Sequence, residues 1–179
     1  MAKRGAIVRR LPAVEGLGSC TLIASDKTGT LTCNELTVRE VRVAESGVFE
    51  VSGAGYEPNG HIVPRGPATV EGPELRRALE IAIACNDADL HHREDVWTWR
   101  GDPTDIALLA LAAKHGVDRE EFLRDAPRID EIPFEADQRY HASYHARDGA
   151  TWIAVKGAPE RVFKMCRLRV DQEACRHGE

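Results

Sequence analysis

The stretch ASDKTGTLT, residues 24–32, places a single aspartate, Asp26, directly after a short apolar run, TLIA at residues 21–24. Residues 20–24 are predicted to form a buried strand of the parallel type, because the run is too short for a helix. In open α/β sheets, ligands bind beyond the carboxyl ends of the strands. Asp26 therefore stands where a functional carboxylate is expected.

The residues around Asp26 are of the types that phosphoryl transfer requires. An aspartate carboxylate can attack phosphorus, and Lys27, the hydroxyl of Thr30 and the turn amides around Gly29 can hold phosphoryl oxygens. Mg²⁺ would neutralise charge there, because protein and phosphate oxygens together suit that ion. For any three of these residues an ordinary polar turn is the better interpretation, but not for the seven consecutive residues 26–32.

Composition limits the function classes. The chain has 179 residues, with 24 Lys and Arg against 29 Asp and Glu, so nothing in its charge favours a nucleic-acid partner. Its 5 cysteines are odd in number and widely spaced, which favours a reduced setting over a disulfide framework or a zinc site. The chain has no run of about 18 apolar residues, so we expect that it does not itself span a membrane. The basic start, MAKRGAIVRR, is either a solvated tail or a segment just inside a membrane.

Hydrophobic periodicity and turn signals predict a mixed α/β order after residue 33. Asp102 is expected to cap a helix that ends before Gly116, and Asp148-Gly149 to form a hairpin turn. The Gly- and Pro-rich residues 53–67 are expected to form a loop. The predicted strands cover residues 38–43, 48–51, 128–134, 139–146 and 150–156, and the predicted helices residues 73–86, 103–115, a short stretch from 118, and 159–166.

The heptapeptide DKTGTLT, residues 26–32, resembles the signature of the P-type cation-transporting ATPases. The segment at residues 6–18 resembles the chain that leaves the fourth transmembrane helix of these pumps. The wording of the motifs leans toward the calcium- or sodium/potassium-like class. Five later segments resemble the family's nucleotide-binding domain, in the family's order: GYEPNG at 55–60, CNDA at 85–88, GDPTD at 101–105, IPFEADQR at 132–139 and VKGAPE at 155–160.

The resemblance implies an α/β (α+β) fold in two parts. Residues 1–33 would be the N-terminal piece, with one strand, of a haloacid-dehalogenase-like phosphorylation (P) domain. Residues 34–179 would be the nucleotide-binding (N) domain, with antiparallel sheet and helices, incomplete at its C-terminus. The cofactors implied are ATP and Mg²⁺. The partners implied are the rest of the same transporter chain, namely its membrane helices, the rest of its P domain and its actuator domain, at the cytoplasmic face of a membrane.

The resemblance also assigns the phosphorylation site. Asp26 would be phosphorylated by ATP with Lys27 beside it, and the backbone carbonyl of Thr28 would join Asp26 on Mg²⁺. Related phosphatases carry a second aspartate two residues after the nucleophile, which acts as general acid and base. Thr28 cannot do that near neutral pH, so a long-lived aspartyl phosphate, as in a pump, is favoured over a phosphatase.

The same resemblance predicts an adenine pocket. Phe134 would stack on the adenine ring, although a core position is the alternative for such a residue. Lys156 would form the pocket wall, where an edge-strand lysine is the alternative. Gly157, lacking a side chain, would let a ligand approach the backbone. Arg139 would lie near the phosphates, or be a solvated strand arginine.

Two acidic residues of the predicted pocket have a structural alternative. Asp102 and Asp105 together resemble a capping box, while the resemblance places Asp105 near the adenine amino group. The two roles are compatible. His91 and His92 are expected to be solvated on an exposed loop rather than to bind metal.

Two functions of different class remain. The chain is either a piece of the large cytoplasmic loop of an ATP-driven pump, inactive on its own apart from nucleotide binding, or a stand-alone haloacid-dehalogenase-like phosphotransferase or nucleotide-binding module.

Overall fold

The computed structural model describes residues 12, 16, 18–22, 24–27, 29–44, 47–66, 70 and 72–166. The chain divides into two compact units, Met1–Asn34 and Glu35–Glu179. In the first unit, the strand predicted over residues 20–24 is absent from the described residues of that stretch, which are exposed, Leu22 by 84%. A strand needs a neighbour to pair its backbone groups. The described part of this unit contains none, so the prediction is wrong here.

The second unit begins with a three-stranded antiparallel sheet. Its strands β1 (Glu40–Val43), β2 (Gly47–Val51) and β3 (Ile62–Arg65) lie in the order β1-β2-β3. The first two were predicted, but β3 falls in the stretch predicted to be loop. Pro64 is tolerated in β3 because this strand pairs on one side only.

A two-stranded antiparallel hairpin follows, which the sequence did not predict. It consists of β4 (Asp89–Arg93) and β5 (Val96–Arg100), and the two turn residues between them have φ angles of 49° and 61°. His91 and His92 therefore lie on a strand and not on a loop. Adjacent strand residues point to opposite faces, so the two imidazoles point apart, as expected. The ring of His92 lies 4.8 Å from that of Trp97.

A second three-stranded antiparallel sheet ends the unit. Its strands are β6 (Arg128–Ile132), β7 (Tyr140–Arg147) and β8 (Ala150–Gly157), in the order β6-β7-β8. The turn between β7 and β8 is Asp148-Gly149, with φ angles of 52° and 74°. All three strands and this turn were predicted, but β6 ends at Ile132 rather than at Phe134, and β7 begins at Tyr140 rather than at Arg139.

The described residues of this unit form four helices: α1 (Pro73–Ala84), α2 (Pro103–Lys114), α3 (Arg119–Asp125) and α4 (Pro159–Met165). Asp102 caps α2, because its Oδ1 accepts a hydrogen bond of 2.8 Å from the Thr104 amide. Gly116, with φ 76°, ends it, and the following amide donates back to the helix at 3.0 Å. None of these helices has the length and apolar character needed to cross a bilayer.

Helix α1 lies at the centre of the unit. It contacts α2, α3, β1 and β8. Leu75, Leu79 and Ile83, spaced four residues apart, are at most 1% exposed and form the core together with Phe49 of β2. Helix α1 ends at the turn that carries residues 85–88, so its packing sets where that turn lies.

Strand β7 buries polar side chains on one face. His141, Ser143 and His145 alternate along it and are 2%, 0% and 0% exposed. The Nδ1 of His145 donates to the Ala126 carbonyl at 2.8 Å, since a carbonyl can only accept. The Nε2 then accepts from the Ser143 hydroxyl at 3.0 Å. His145 is thus neutral and fully hydrogen-bonded.

Stability is expected to fall on mild acidification because of His145. Burial lowers its pKa below the usual value, against the raising effect of the Ala126 hydrogen bond. His145 therefore binds a proton more readily in the unfolded chain than in the folded one. Its contribution to the free energy of unfolding is complete above pH about 6.5, and it is lost as the pH falls from there toward the pKa of the folded state. Urea unfolding at pH 7.5 and 5.5 measures the loss, which should be smaller in His145→Gln. The exposed control His91→Gln should match the wild type. Equal losses in wild type and His145→Gln would contradict this explanation.

Candidate functional site

Strands β7 and β8 bring two polar side chains to one face of the sheet. Lys156 on β8 lies directly opposite His141 on β7, and opposite residues of an antiparallel pair project to the same side. The ammonium group of Lys156 donates to Oδ1 of Asp105, in the first turn of α2. The two side chains are only 25% and 13% exposed. The structure therefore joins two of the predicted pocket residues in a largely buried ion pair.

Asp105 is held in place by the turn after α1. Its Oδ2 accepts a hydrogen bond of 3.3 Å from the Asp87 amide. Its carboxylate thus contacts Lys156 and this turn rather than the Asp102 amide, so the capping-box prediction is wrong. Asp102 alone caps the helix. The carboxylates of Asp102 and Asp105 are three residues apart in the sequence but have separate structural roles.

The CNDA segment, residues 85–88, is a connector that is buried except at Asp87. The side-chain amide of Asn86 donates to the carbonyls of Ala82 at 3.1 Å and Asp105 at 2.9 Å, and its oxygen accepts from the Ala88 amide at 2.9 Å. Asn86 is 0% exposed and links the end of α1 to the start of α2. Its hydrogen bonds thereby fix the position of Asp105.

Cys85 ties the same turn to β7. Its thiol donates to the His141 carbonyl at 3.3 Å. Burial raises the pKa of this thiol, against weaker opposing effects that begin with the positive charge of Lys156. The thiol is therefore protonated at neutral pH and serves as a packing and hydrogen-bonding group, not as a nucleophile.

Gly157 follows Lys156, and the backbone packing around it explains why glycine is needed at this position. A Cβ at this position would lie 2.5 Å from the Arg139 carbonyl oxygen and 2.6 Å from the Tyr140 Cα. The space that we predicted for a ligand is therefore taken by the backbone of the neighbouring strand. Gly157 allows that close strand contact, which sets Lys156 at the end of β8.

Arg139 lies in the turn before β7, not within a strand as predicted. Its φ angle is 57°, in the left-handed region, and its amide donates to the Glu135 carbonyl at 2.7 Å. The guanidinium group pairs with Glu160 at 2.7 Å, and both side chains are about half exposed. Arg139 is thus adjacent to Gly157 through the backbone and presents its charge toward solvent.

Phe134 is an exposed aromatic residue, 62% accessible, on the connection from β6 to β7. Ile132, the last residue of β6, pairs with Ala142 of β7. Because the two strands are antiparallel, Phe134, which follows Ile132, and His141, which precedes Ala142, lie at the same end of the sheet. The alternative interpretation, a core position for Phe134, is wrong. Its ring faces solvent at the end of the sheet that also carries the Lys156–Asp105 pair.

The first unit holds the other predicted site residues in one tight turn. The Lys27 carbonyl accepts from the amides of Leu31 at 3.0 Å and Thr32 at 3.2 Å. The Gly29 amide donates to the Thr32 hydroxyl at 3.3 Å, and Gly29 has a φ angle of 75°. Asp26, Lys27 and Thr30 are exposed in this turn. Thr28 lies outside the described residues.

The sequence analysis missed a charged cluster beside the Lys156–Asp105 pair. Arg128 of β6 donates to Asp87 at 2.8 Å and to Glu131 at 2.6 Å, and His141 lies 3.9 Å from Asp87. Burial raises the pKa of Asp87, but the hydrogen bond from Arg128 and nearby positive charges outweigh it, and the net pKa is lowered. Burial lowers the pKa of His141, although the negative charge of Asp87 acts in the opposite direction. No local motif joins these residues, which come from three separate elements.

Comparison with known proteins agrees with the resemblance of the motifs. Residues 74–175 match the family model described as P-type ATPase, cytoplasmic domain N. Over 93% of this chain, the sequence is 47% identical to the cation-transporting ATPase pma1 of Synechocystis, 41% to the probable cation-transporting ATPase F of Mycobacterium tuberculosis, and 39% to the human calcium-transporting ATPase type 2C member 1. The chain spans 19%, 19% and 18% of the length of these curated relatives.

The α/β architecture, with its antiparallel sheets and four described helices, is consistent with that domain. The family model covers more than half of the chain, and the order of the motifs is that of the family. The chain therefore belongs to the cation-transporting P-type ATPases, and its residues 74–175 correspond to the N domain of that family.

Proposed function

We propose that the unit formed by residues 35–179 binds ATP, with the adenine ring against Phe134. The observation that carries this proposal is an exposed aromatic face at the end of a sheet where a carboxylate and an ammonium group meet, largely buried. Ligand sites combine apolar or aromatic surface with a few fixed polar groups. Phe134 supplies the surface, and Asp105 and Lys156 supply the polar groups.

The polar pair suits the edge of an adenine ring. The carboxylate of Asp105 can accept from the exocyclic amino group, and the ammonium group of Lys156 can donate to a ring nitrogen or a phosphate oxygen. Asp102 contributes to the proposed site indirectly, because it caps α2 and Asp105 lies in the first turn of that helix. The guanidinium group of Arg139 is half exposed beside Glu160, so it is accessible to a phosphate group.

In the first unit we propose that Asp26 accepts the terminal phosphoryl group of ATP. The described polar side chains in this turn are the Asp26 carboxylate, the Lys27 ammonium group and the hydroxyls of Thr30 and Thr32. With the backbone carbonyl of Thr28, the metal-binding set is all oxygen, and such a set fits Mg²⁺. When bound, Mg²⁺ would neutralise phosphate charge. Asp26 and Thr28 would hold it, and Lys27 and Thr30 would orient the phosphate.

For the full-length protein we propose an ATP-driven cation pump, with this chain at the cytoplasmic face of the membrane. Its partners would be the remaining P domain, the actuator domain and the membrane helices. On its own, the 179-residue chain should bind nucleotide without phosphorylating itself. Asp26 and Thr28 supply only part of the metal site, and phosphoryl transfer depends on accurate positioning of both reactants around the ion.

The adenine assignment is tested by titrating ATP into the wild-type chain and Phe134→Ala while following amide shifts. Loss of base stacking should weaken binding by about 1–3 kcal/mol, or about five- to 150-fold. Phe163→Ala is the matched control, since Phe163 is also exposed, by 44%, but lies on α4. The control should bind as the wild type does. Unchanged affinity in Phe134→Ala would exclude stacking on this ring.

A further inference from the structure

A buried imidazole faces two carboxylates on the second unit. His141 is 2% exposed, and its Nε2 has no hydrogen-bond partner in the part of the chain that the structure describes. This nitrogen lies 3.9 Å from Oδ2 of Asp87. One ligand atom each from Asp87, Glu131 and His141 lies within 4.8 Å of the others. A buried polar atom without a partner is destabilising, and a cation held between the three groups would supply the missing partner.

Arg128 organises the two carboxylates from the other side. Its Nη1 donates to Oδ1 of Asp87 and Oε2 of Glu131, and its Nη2 donates to the carbonyls of Ala84 and Asn86, both at 2.9 Å. Arg128 therefore occupies one oxygen of each carboxylate and leaves the other oxygen to a further ligand. Carboxylates that bind metals are commonly oriented by such hydrogen bonds. The cluster, with Arg128 included, still carries one net negative charge beside the imidazole.

We propose that Asp87, Glu131 and His141 form a binding site for a divalent transition-metal ion of the zinc type. Zinc binds histidine nitrogen and carboxylate oxygen at about 2.0–2.2 Å, which places the ligand atoms of a tetrahedral site about 3.3–3.6 Å apart. The separation of 3.9 Å between His141 Nε2 and Asp87 Oδ2 is wider, so the exposed acidic side chains would move closer to bind the ion. Asp87 and Glu131 are 59% and 44% exposed, so the ion enters from solvent between them.

The donor set identifies the class of ion. Mg²⁺ and Ca²⁺ prefer all-oxygen sites, whereas imidazole suits Zn²⁺, Co²⁺ and Ni²⁺. Three protein ligands leave room for water as the fourth. This site uses none of the residues that we assign to adenine or phosphate, so it does not rest on the proposed function.

The test is a titration of the metal-free chain with Co²⁺ alone, followed by visible absorption, and with Zn²⁺ by calorimetry. We expect one ion per chain without a thiolate charge-transfer band, and a shift of the His141 Nε2 resonance on Zn²⁺ binding. Asp87→Asn and Glu131→Gln should each weaken binding by at least about tenfold, since even residues that only support a ligand change metal affinity by about 10–100-fold. Because both side chains are exposed, these variants keep the fold, which circular dichroism verifies.

Asp148→Asn is the matched control, because Asp148 is exposed in the turn between β7 and β8 and its left-handed backbone accepts asparagine. It should bind like the wild type. Affinity unchanged in both cluster variants, a thiolate band, or an unshifted His141 resonance would overturn the proposal. Equal affinity for Mg²⁺ would overturn the assignment to the zinc class.

Discussion

Phosphorylation of the full-length protein by ATP is expected to disappear in Asp26→Asn, while nucleotide binding persists. The asparagine amide is close in size to the carboxylate but is not a nucleophile, so no oxygen attacks the γ-phosphorus and no ADP leaves. It also removes one negative ligand of Mg²⁺. The proposed adenine residues, Phe134, Asp105 and Lys156, lie in the other unit of the chain and are unaltered. Chemistry and binding should therefore separate in this variant.

The measurement is acid-stable incorporation of labelled phosphate from γ-labelled ATP, with ATP binding measured in parallel. Asp148→Asn is the matched control, since it makes the same chemical change at an exposed aspartate of a turn. Labelling of the control should equal that of the wild type. Persistent labelling of Asp26→Asn would place the phosphorylated residue elsewhere, and joint loss of labelling and nucleotide binding would indicate a general structural defect.

Leu79→Ala is expected to reduce the free energy of unfolding by about 2–5 kcal/mol, as truncation of fully buried leucines does. Leu79 is 1% exposed and lies in the middle of α1, which contacts two helices and two sheets. The cavity left behind cannot close by the movement of one neighbour, because the buried face of α1 packs against several elements. Alanine itself favours a helix, so the loss comes from packing.

Urea unfolding followed by far-ultraviolet circular dichroism measures this difference. Ile129→Ala is the control, since Ile129 is 58% exposed on β6. Its truncation should cost about 0.5 kcal/mol or less, as usual for surface positions. Similar losses in both variants would show that α1 does not carry the core of this unit.

Sequence patterns predicted the local structure where the signal was contained within a few residues. Asp102 and Gly116 delimit α2, and Asp148-Gly149 turns β7 into β8, because capping and left-handed turns depend on the residue itself. The patterns failed for β3, β4 and β5. Pro64 argued against a strand, although proline is tolerated in the edge strand β3. The turn Glu94-Asp95 lacks the glycine that signals a hairpin. Strand β3 forms by pairing with β2, and β4 and β5 form by pairing with each other, so neither case is signalled by the residues of a single strand.

The motifs alone were sufficient to identify the family, because seven consecutive residues at Asp26 and an ordered series of later segments are specific to it, and the comparisons confirm that identification. The geometry was not contained in the motifs. Asp105 suggested a capping box, yet it pairs with Lys156, 51 residues away. Gly157 suggested room for a ligand, yet it accommodates the next strand.

The order of residues along this chain therefore specifies its family, its helix ends and its tight turns, since these depend on short-range chemistry. The fold alone specifies which side chains meet. Asp87, Glu131 and His141 lie on a turn and two strands, and they converge because α1 packs against the sheet that contains β6 and β7. Their individual positions carry no local signal, because a contact between distant residues depends on the packing of every element between them.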